Sequence, residues 1–246
     1  MSNPRPLQGK VALITGAAKR LGKASALALA QAGADVAITF LKSSTEAQQT
    51  AGLIEKAGSR ALAVACDVTK PESVRRAVRD VVKEFGRLDI LVNNAGVYET
   101  AEFESLTIAQ WDSIFATNVR GPFLVSQESV RHLRRTRGRI INLGSLGGLR
   151  AWPTHAHYCS SKAALHMLTK AMAKALAPEI SVNCVAPGMI DLGEKAAHAF
   201  MERMAKQTPM RRNGTGAEVA AAVLFFASAP EFITGQIMFV DGGLGL

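Results

Sequence analysis

Tyr158 and Lys162 lie four positions apart in Tyr158-Cys159-Ser160-Ser161-Lys162, with Ser145 thirteen positions upstream. On a helix, residues four apart share a face at about 5–6 Å, so the phenol and the ammonium would point the same way. A free phenol titrates near 10 and is a poor proton donor or base at neutral pH; a fixed cation favours the phenolate and lowers that value. Ser145 follows the strand-like run Arg139 to Gly144 and would offer a hydroxyl to the same oxygen. Alone, a Tyr-x-x-x-Lys spacing arises often by chance on an ordinary solvated helix. Its weight depends on the elements that would position it.

Val11 to Thr15 is a short apolar run with a glycine after it, the pattern of a buried strand. Gly16-Ala17-Ala18-Lys19-Arg20-Leu21-Gly22 follows, then an alanine-rich helix to about Gly33. Strand, glycine turn and helix form the context in which amides at a helix N-terminus receive a pyrophosphate, although Arg20 stands where the usual pattern has its middle glycine. The second strand, Ala34 to Phe40, ends without the Asp or Glu that commonly binds ribose hydroxyls in NAD sites. The chain reads Leu41-Lys42-Ser43-Ser44 instead, and Lys19 and Arg20 are close in sequence to the first turn. Cations and hydroxyls in that place favour a 2′-phosphate, hence NADP, over a solvated basic turn with a serine cap.

The alternation continues with helices over 45–57 and 71–85, and strands over 61–66 and 88–92. A helix from Ile108 to about Leu133 is expected to break near Gly121-Pro122. Then come a strand to Leu143, the Tyr–Lys helix over 155–177, a strand over 181–186, a helix over 217–227 and a last strand over 237–240. Repeated strand–helix units with short turns predict a single α/β domain, a Rossmann-type doubly wound parallel sheet with helices on both faces. Ligands in such sheets sit beyond the carboxyl ends of the strands. Gly16, Asp67, Asn94, Ser145 and Pro187-Gly188 all follow strands, which lifts Tyr158 and Lys162 above chance.

A chain of 246 residues suffices for one such domain, and no apolar run approaches the roughly 18 residues of a membrane span. Residues 1–6 read as a loose tail without a secretory core. Cys66, Cys159 and Cys184 have no paired spacing, which suits reduced thiols and a cytoplasmic location. The net charge of +9 suits a polyphosphate ligand as well as it suits nucleic acid. The densest basic run, Arg131 to Arg139, lacks interleaved aromatics and falls at a helix end, so nucleic acid is not expected. His155 and His157 lack a third residue at metal spacing; they are expected to line the entrance or cap the helix, and no metal is expected. The stretch 189–214, with Met189, Met201, Met204, Met210 and Phe200, reads either as a mobile apolar lid or as plain helix packing.

Across nearly its whole length the sequence resembles the short-chain dehydrogenase/reductases. The matching residues are Thr15-Gly16 to Gly22, Asp67, Asn93-Asn94-Ala95-Gly96, Asn118, Ser145, Tyr158 with Lys162, Asn183, Pro187-Gly188 and Asp241-Gly242-Gly243. The resemblance implies Tyr158 as general acid, Ser145 polarising the carbonyl oxygen, and Lys162 binding the nicotinamide ribose while lowering the Tyr158 pKa. It implies Asn118 holding a water that reloads the proton. Asp67 and Val68 would meet adenine, Asn94, Ala95 and Gly96 the adenosine side and the floor of the site, and Pro187, Gly188 and Ile190 the nicotinamide. Leu192 replaces a threonine frequent in the family. The Thr15 to Gly22 and Leu176 to Asn183 segments also resemble the pteridine reductase branch, but that branch usually carries Asp at the position of Ser145. Residues Ser145 and Gly96 are those of general carbonyl reductases such as β-ketoacyl–acyl-carrier-protein reductases. The expected activity is NADPH-dependent reduction of a small-molecule carbonyl, with a pteridine reductase and a non-catalytic NADP-binding redox sensor as alternatives. The family also implies a homo-tetramer.

Overall fold

The computed structural model describes residues 5–193 and 198–246. Seven strands make one parallel sheet in the order β3-β2-β1-β4-β5-β6-β9. The strands are β1 (Val11–Ile14), β2 (Asp35–Phe40), β3 (Ala61–Ala65), β4 (Ile90–Asn93), β5 (Arg139–Leu143), β6 (Ser181–Pro187) and β9 (Ile237–Val240). Between them run α1 (Arg20–Gln31), α2 (Ser44–Lys56), α3 (Pro71–Phe85), α4 (Ile108–Phe115), α5 (Gly121–Thr136), α6 (Ala156–Leu176), α7 (His198–Gln207) and α8 (Gly216–Ser228). The strand order reverses between β1 and β4, which opens a crevice at the carboxyl edge.

Each face of the sheet carries its own core, the arrangement that near-continuous apolar strands require. One layer packs Ile14, Ile38, Val92 and Ile141 against Leu29, Val223 and Phe226 of α1 and α8. The other packs Leu13, Leu91, Ile140 and Val182 against Val78, Val81, Val125 and Leu133 of α3 and α5. The chain is tied to the body from Leu7, which is buried and whose amide donates to the Ala32 carbonyl at 2.9 Å.

The expected helix break near Gly121-Pro122 takes another form. Residues Ala116–Arg120 make a π turn between α4 and α5, closed by a bond from the Gly121 amide to the Ala116 carbonyl five residues back. Pro122 has no amide to donate, and its ring crowds the carbonyl four residues earlier, that of Asn118. The wider turn relieves that conflict without ending the helix. Gly121 is required here for a second reason, because a Cβ would stand 2.9 Å from a Val68 methyl.

The segment expected as a lid leaves and rejoins the body through a two-stranded clamp. There β7 (Ile190–Asp191) pairs in parallel with β8 (Gly214–Thr215). The Thr215–Glu218 capping box starts α8 immediately after it. Residues 194–197 of that segment lie outside the described residues, as do 1–4 of the expected tail. Met204 is buried against Leu146 and Leu244, whereas Phe200 and Met210 are exposed.

Candidate active site

β5 delivers Ser145 to the carboxyl edge, and α6 delivers Tyr158 and Lys162 to the same place. The Ser145 hydroxyl lies near enough to the Tyr158 phenol to lower its pKa and accepts from the Gly147 amide at 3.0 Å, which fixes its rotamer. From below, His166 of α6 accepts the Ser145 amide at 3.5 Å. The His166 imidazole is buried and held down to about 4, by desolvation first and then by the charges of Lys162 and Lys170. It is therefore neutral at physiological pH and able to accept that bond.

Sequence reasoning made Lys162 the cation that lowers the Tyr158 pKa. The structure places the two differently. Lys162 is buried, its Nζ donates to the Leu143 carbonyl at 2.8 Å, and it lies 5.9 Å from the centre of the Tyr158 ring. Desolvation brings the lysine itself down to about 8. The phenol is pushed above its ordinary value, because desolvation outweighs the lowering by the neighbouring Ser145 hydroxyl. With Nζ turned to a carbonyl, the cation does not reverse that balance.

The π turn brings Asn118 inward. Its Nδ2 donates to the Val97 carbonyl at 3.0 Å and to the Ser161 hydroxyl at 3.1 Å, and its Oδ1 accepts from the Val97 amide at 2.9 Å. Ser161 is bonded in turn to the Tyr158 carbonyl at 2.7 Å. Gly96 completes the group: a Cβ on it would stand 3.3 Å from Asn118 Oδ1 and 3.7 Å from Lys162 Nζ. Asn118, Ser145, Tyr158, Lys162 and Gly96 thus occupy one neighbourhood.

A second group gathers at the start of α1. Gly16 has φ +63, and a Cβ there would come 2.9 Å from Ala95 Cα, so the β1 turn can lie on the β4 turn only as glycine. The Asn94 side chain is spent on that junction, donating to the carbonyls of Thr15 at 2.8 Å and Gly16 at 3.0 Å. Its contribution is to shape the turn. Helix α1 has no side-chain cap and no acidic residue in its first turn, so the amides about Leu21 and Gly22 face the crevice with the dipole's positive end. Arg20 takes a left-handed φ of +54, as a glycine at that position would. Lys42 is exposed, and Ser43 occupies the cap position of α2 without a side-chain capping bond. Glu46 lies 3.8 Å from Lys19, a carboxylate that the sequence reading did not weigh.

Asp67 and Val68 follow β3. Burial works to raise the Asp67 carboxyl, but the Thr69 hydroxyl at 2.7 Å, the Thr69 amide at 2.9 Å and the Lys70 charge hold it below the usual range. Pro187 ends β6, the Gly188 amide donates to Val240 at 3.0 Å, and Ile190 starts the clamp. Asn183 does not enter the site; it ties β6 to Ile233 and Gln236.

His155 and His157 part company. His155 stands just ahead of α6, makes no capping bond, and pairs with Tyr98 of the segment after β4. His157 turns inward, fully buried. Sequence reading missed Tyr98 and His166, because only tertiary contacts bring them to the site. The basic run behaves as a helix end: Arg131 pairs with Glu128, and Arg137 with Glu231. Among the described residues, no helix is long and apolar enough to cross a membrane, and no group of three His, Cys, Asp or Glu side chains is arranged to hold a metal.

Comparison with known proteins agrees with this architecture. The family model described as enoyl-(acyl carrier protein) reductase matches residues 16–245. A 3-oxoacyl-(acyl-carrier-protein) reductase of Staphylococcus epidermidis is 35% identical over 240 residues, covering 96% of this chain and 98% of its own. A short-chain dehydrogenase/reductase from Serratia marcescens superimposes with a TM-score of 0.93 at 39% identity, over 98% of this chain and 100% of that one. A gluconate 5-dehydrogenase from Burkholderia cenocepacia, solved with NADP and tartrate, gives 0.90 at 36% identity, over 97% and 96% of the two chains. The chain is an oxidoreductase of the short-chain dehydrogenase/reductase family.

Proposed function

We propose that the protein reduces a carbonyl compound, a ketone or β-ketoacyl-type substrate, with NADPH as donor. The observation that carries this reading is the convergence of Ser145, Tyr158 and Lys162 at the sheet's carboxyl edge, with the Tyr158 phenol half-buried and held protonated. When bound, the dinucleotide supplies a hydride to the carbonyl carbon. Tyr158 gives its proton to the carbonyl oxygen, and Ser145 donates a second hydrogen bond as negative charge gathers there. A phenol above its ordinary pKa keeps its proton at neutral pH, as an acid working in the reducing direction must. Lys162 would hold the nicotinamide ribose, and Asn118 would hold the water that returns the proton to Tyr158.

The residues present fit a phosphorylated dinucleotide. The uncapped start of α1 suits the diphosphate. Lys19, Arg20, Lys42, Ser43 and Ser44 suit the ribose phosphate. Asp67 and Val68 would take adenine, Asn94, Ala95 and Gly96 the adenosine side, and Pro187, Gly188 and Ile190 the nicotinamide. The NADP complex of the related gluconate 5-dehydrogenase supports the choice. On this reading the chain is one dinucleotide-binding catalytic domain, its 189–214 segment closes over substrate, and the enzyme works in the cytoplasm. A homo-tetramer is supported by the exposed apolar side chains of Ile108, Trp111, Phe123 and Met167 on neighbouring helices α4, α5 and α6.

Initial rates of NADPH and NADH oxidation with ketones, β-ketoacyl thioesters and dihydropterins test the reading. Ketone or β-ketoacyl turnover favouring NADPH is expected. Dihydropterin reduction without ketone reduction would transfer the site to a pteridine reductase, and NADPH binding without any turnover would leave a sensor.

A further inference from the structure

Two aromatic side chains at the mouth of the site have no part in the mechanism above. Tyr98, from the segment after β4, sets its ring edge-on to the Tyr158 ring, centroids 5.1 Å apart at 82°. His155, at the foot of α6, lies 5.1 Å from the Tyr98 ring and 6.4 Å from that of Tyr158. The Tyr98 hydroxyl is hydrogen-bonded to His155 Nε2, and His155 Nδ1 to the Thr154 hydroxyl at 3.0 Å. The wall that carries them is fastened by the Ala101 amide donating to the Thr154 carbonyl at 3.0 Å. A polar pair is thus held on a fixed wall, in ring contact with the reacting phenol.

We propose that Tyr98 and His155 form a second recognition point for substrate, selecting carbonyl compounds that carry another oxygen one or two carbons from the reacting one. The inference rests on the carbonyl-reductase reading and adds the substrate class. Tyr98 is 63% exposed, so its hydroxyl can meet an incoming molecule while bonded to His155. Burial holds the His155 imidazole below its ordinary pKa, so near pH 7 it has one donor and one acceptor nitrogen. Threonine and tyrosine hydroxyls both donate and accept, so the Thr154–His155–Tyr98 chain can run in either direction. Run one way, Tyr98 offers its proton to a carbonyl oxygen; run the other, its oxygen accepts from a hydroxyl. Both an α-hydroxyketone and a β-keto ester are served. A plain ketone of the same length leaves the pair to water.

The test compares kcat/KM, with NADPH, for methyl acetoacetate and acetoin against methyl propyl ketone. A neutral hydrogen bond predicts a roughly three- to tenfold preference for the oxygenated probes, lying mainly in KM. Tyr98→Phe and His155→Phe each keep a ring and should remove most of that preference. The double variant should remove no more than either single one, because the two side chains act as a unit. Tyr158→Phe should lower kcat for all three probes alike. Equal use of plain and oxygenated ketones by the unmodified enzyme, or a preference that survives both single variants, would overturn the inference and leave the reductase standing. Absence of NADPH-dependent turnover with every carbonyl probe would bring down the reductase reading, and this inference with it.

Discussion

Replacing Lys162 by Met should make the protein more stable while abolishing its activity. The lysine is 6% exposed, and burial brings its pKa from 10.5 to about 8. A depression of that size corresponds to about 3 kcal/mol held against the charged form in the folded state. Because the folded value is the lower one, the penalty is fully present below about pH 8 and disappears as the pH rises towards 10.5. Methionine keeps the stem's packing and removes the charge, but it strands the Leu143 carbonyl, which now receives Nζ at 2.8 Å. Losing that partner costs about 1–2 kcal/mol. The net gain near pH 7 is about 1–2 kcal/mol, which for a chain of this length raises Tm by roughly 2–8 °C. Thermal unfolding of both proteins between pH 7 and pH 10 reads this directly, with NADPH oxidation measured in parallel. The gain should hold to about pH 8, then shrink with rising pH and vanish before pH 10. A Met variant that melts lower at pH 7, or whose advantage does not depend on pH, would refute the reasoning.

Four further outcomes follow from the same geometry. Tyr158→Phe keeps the ring and loses the proton, so kcat should fall roughly 10²–10⁴-fold, while NADPH affinity, read by fluorescence titration, stays near its original value. Arg20 has φ +54, a conformation that costs an L residue about 1–2 kcal/mol. After the greater chain entropy of glycine is set against this, Arg20→Gly should raise stability by about 0.5–1 kcal/mol. The same change should cut the NADPH-over-NADH preference in kcat/KM roughly tenfold, the lower end for a charged phosphate contact at an exposed site. Ser145→Asp should weaken ketone reduction in steady-state assays, since a carboxylate repels the developing alkoxide. His166 titrates at about 4 when folded against an ordinary 6.5, so the unfolded chain takes up the proton first on acidification. Stability should therefore fall by about 2 kcal/mol between pH 7 and pH 5, and urea unfolding of His166→Gln should show a flatter profile.

The alternation of strands and helices was legible because each strand is a short apolar run closed by a turn, and the helices keep to short connections. Tyr158 and Lys162 were legible for a similar local reason, four residues on one helix face. What could not be read locally is where polar groups find partners. Lys162 turns to Leu143, Asn94 to the carbonyls of Thr15 and Gly16, and Lys19 to Glu46. Each pairs with a group on another element, and with Lys162 so turned, desolvation sets the direction of the Tyr158 pKa. Tyr98 and His155 come from segments separated by α4 and α5, so no spacing rule joins them. His166 lies one further turn along the catalytic helix, and its role beneath Ser145 emerges only when β5 is set against α6.

The π turn at Ala116–Arg120 also has a consequence for helical phase. One surplus residue in a turn rotates everything beyond it by about 100° relative to an uninterrupted α-helix. The polypeptide from Ile108 to Thr136 therefore carries two apolar stripes that are out of step. Helix α4 faces α6, whereas α5 faces α3 and the sheet. A periodicity counted straight through the turn blurs both stripes. A connecting loop would re-aim the chain at the cost of exposed backbone. Here a single extra residue does so in mid-helix, and the side chain it swings inward is Asn118.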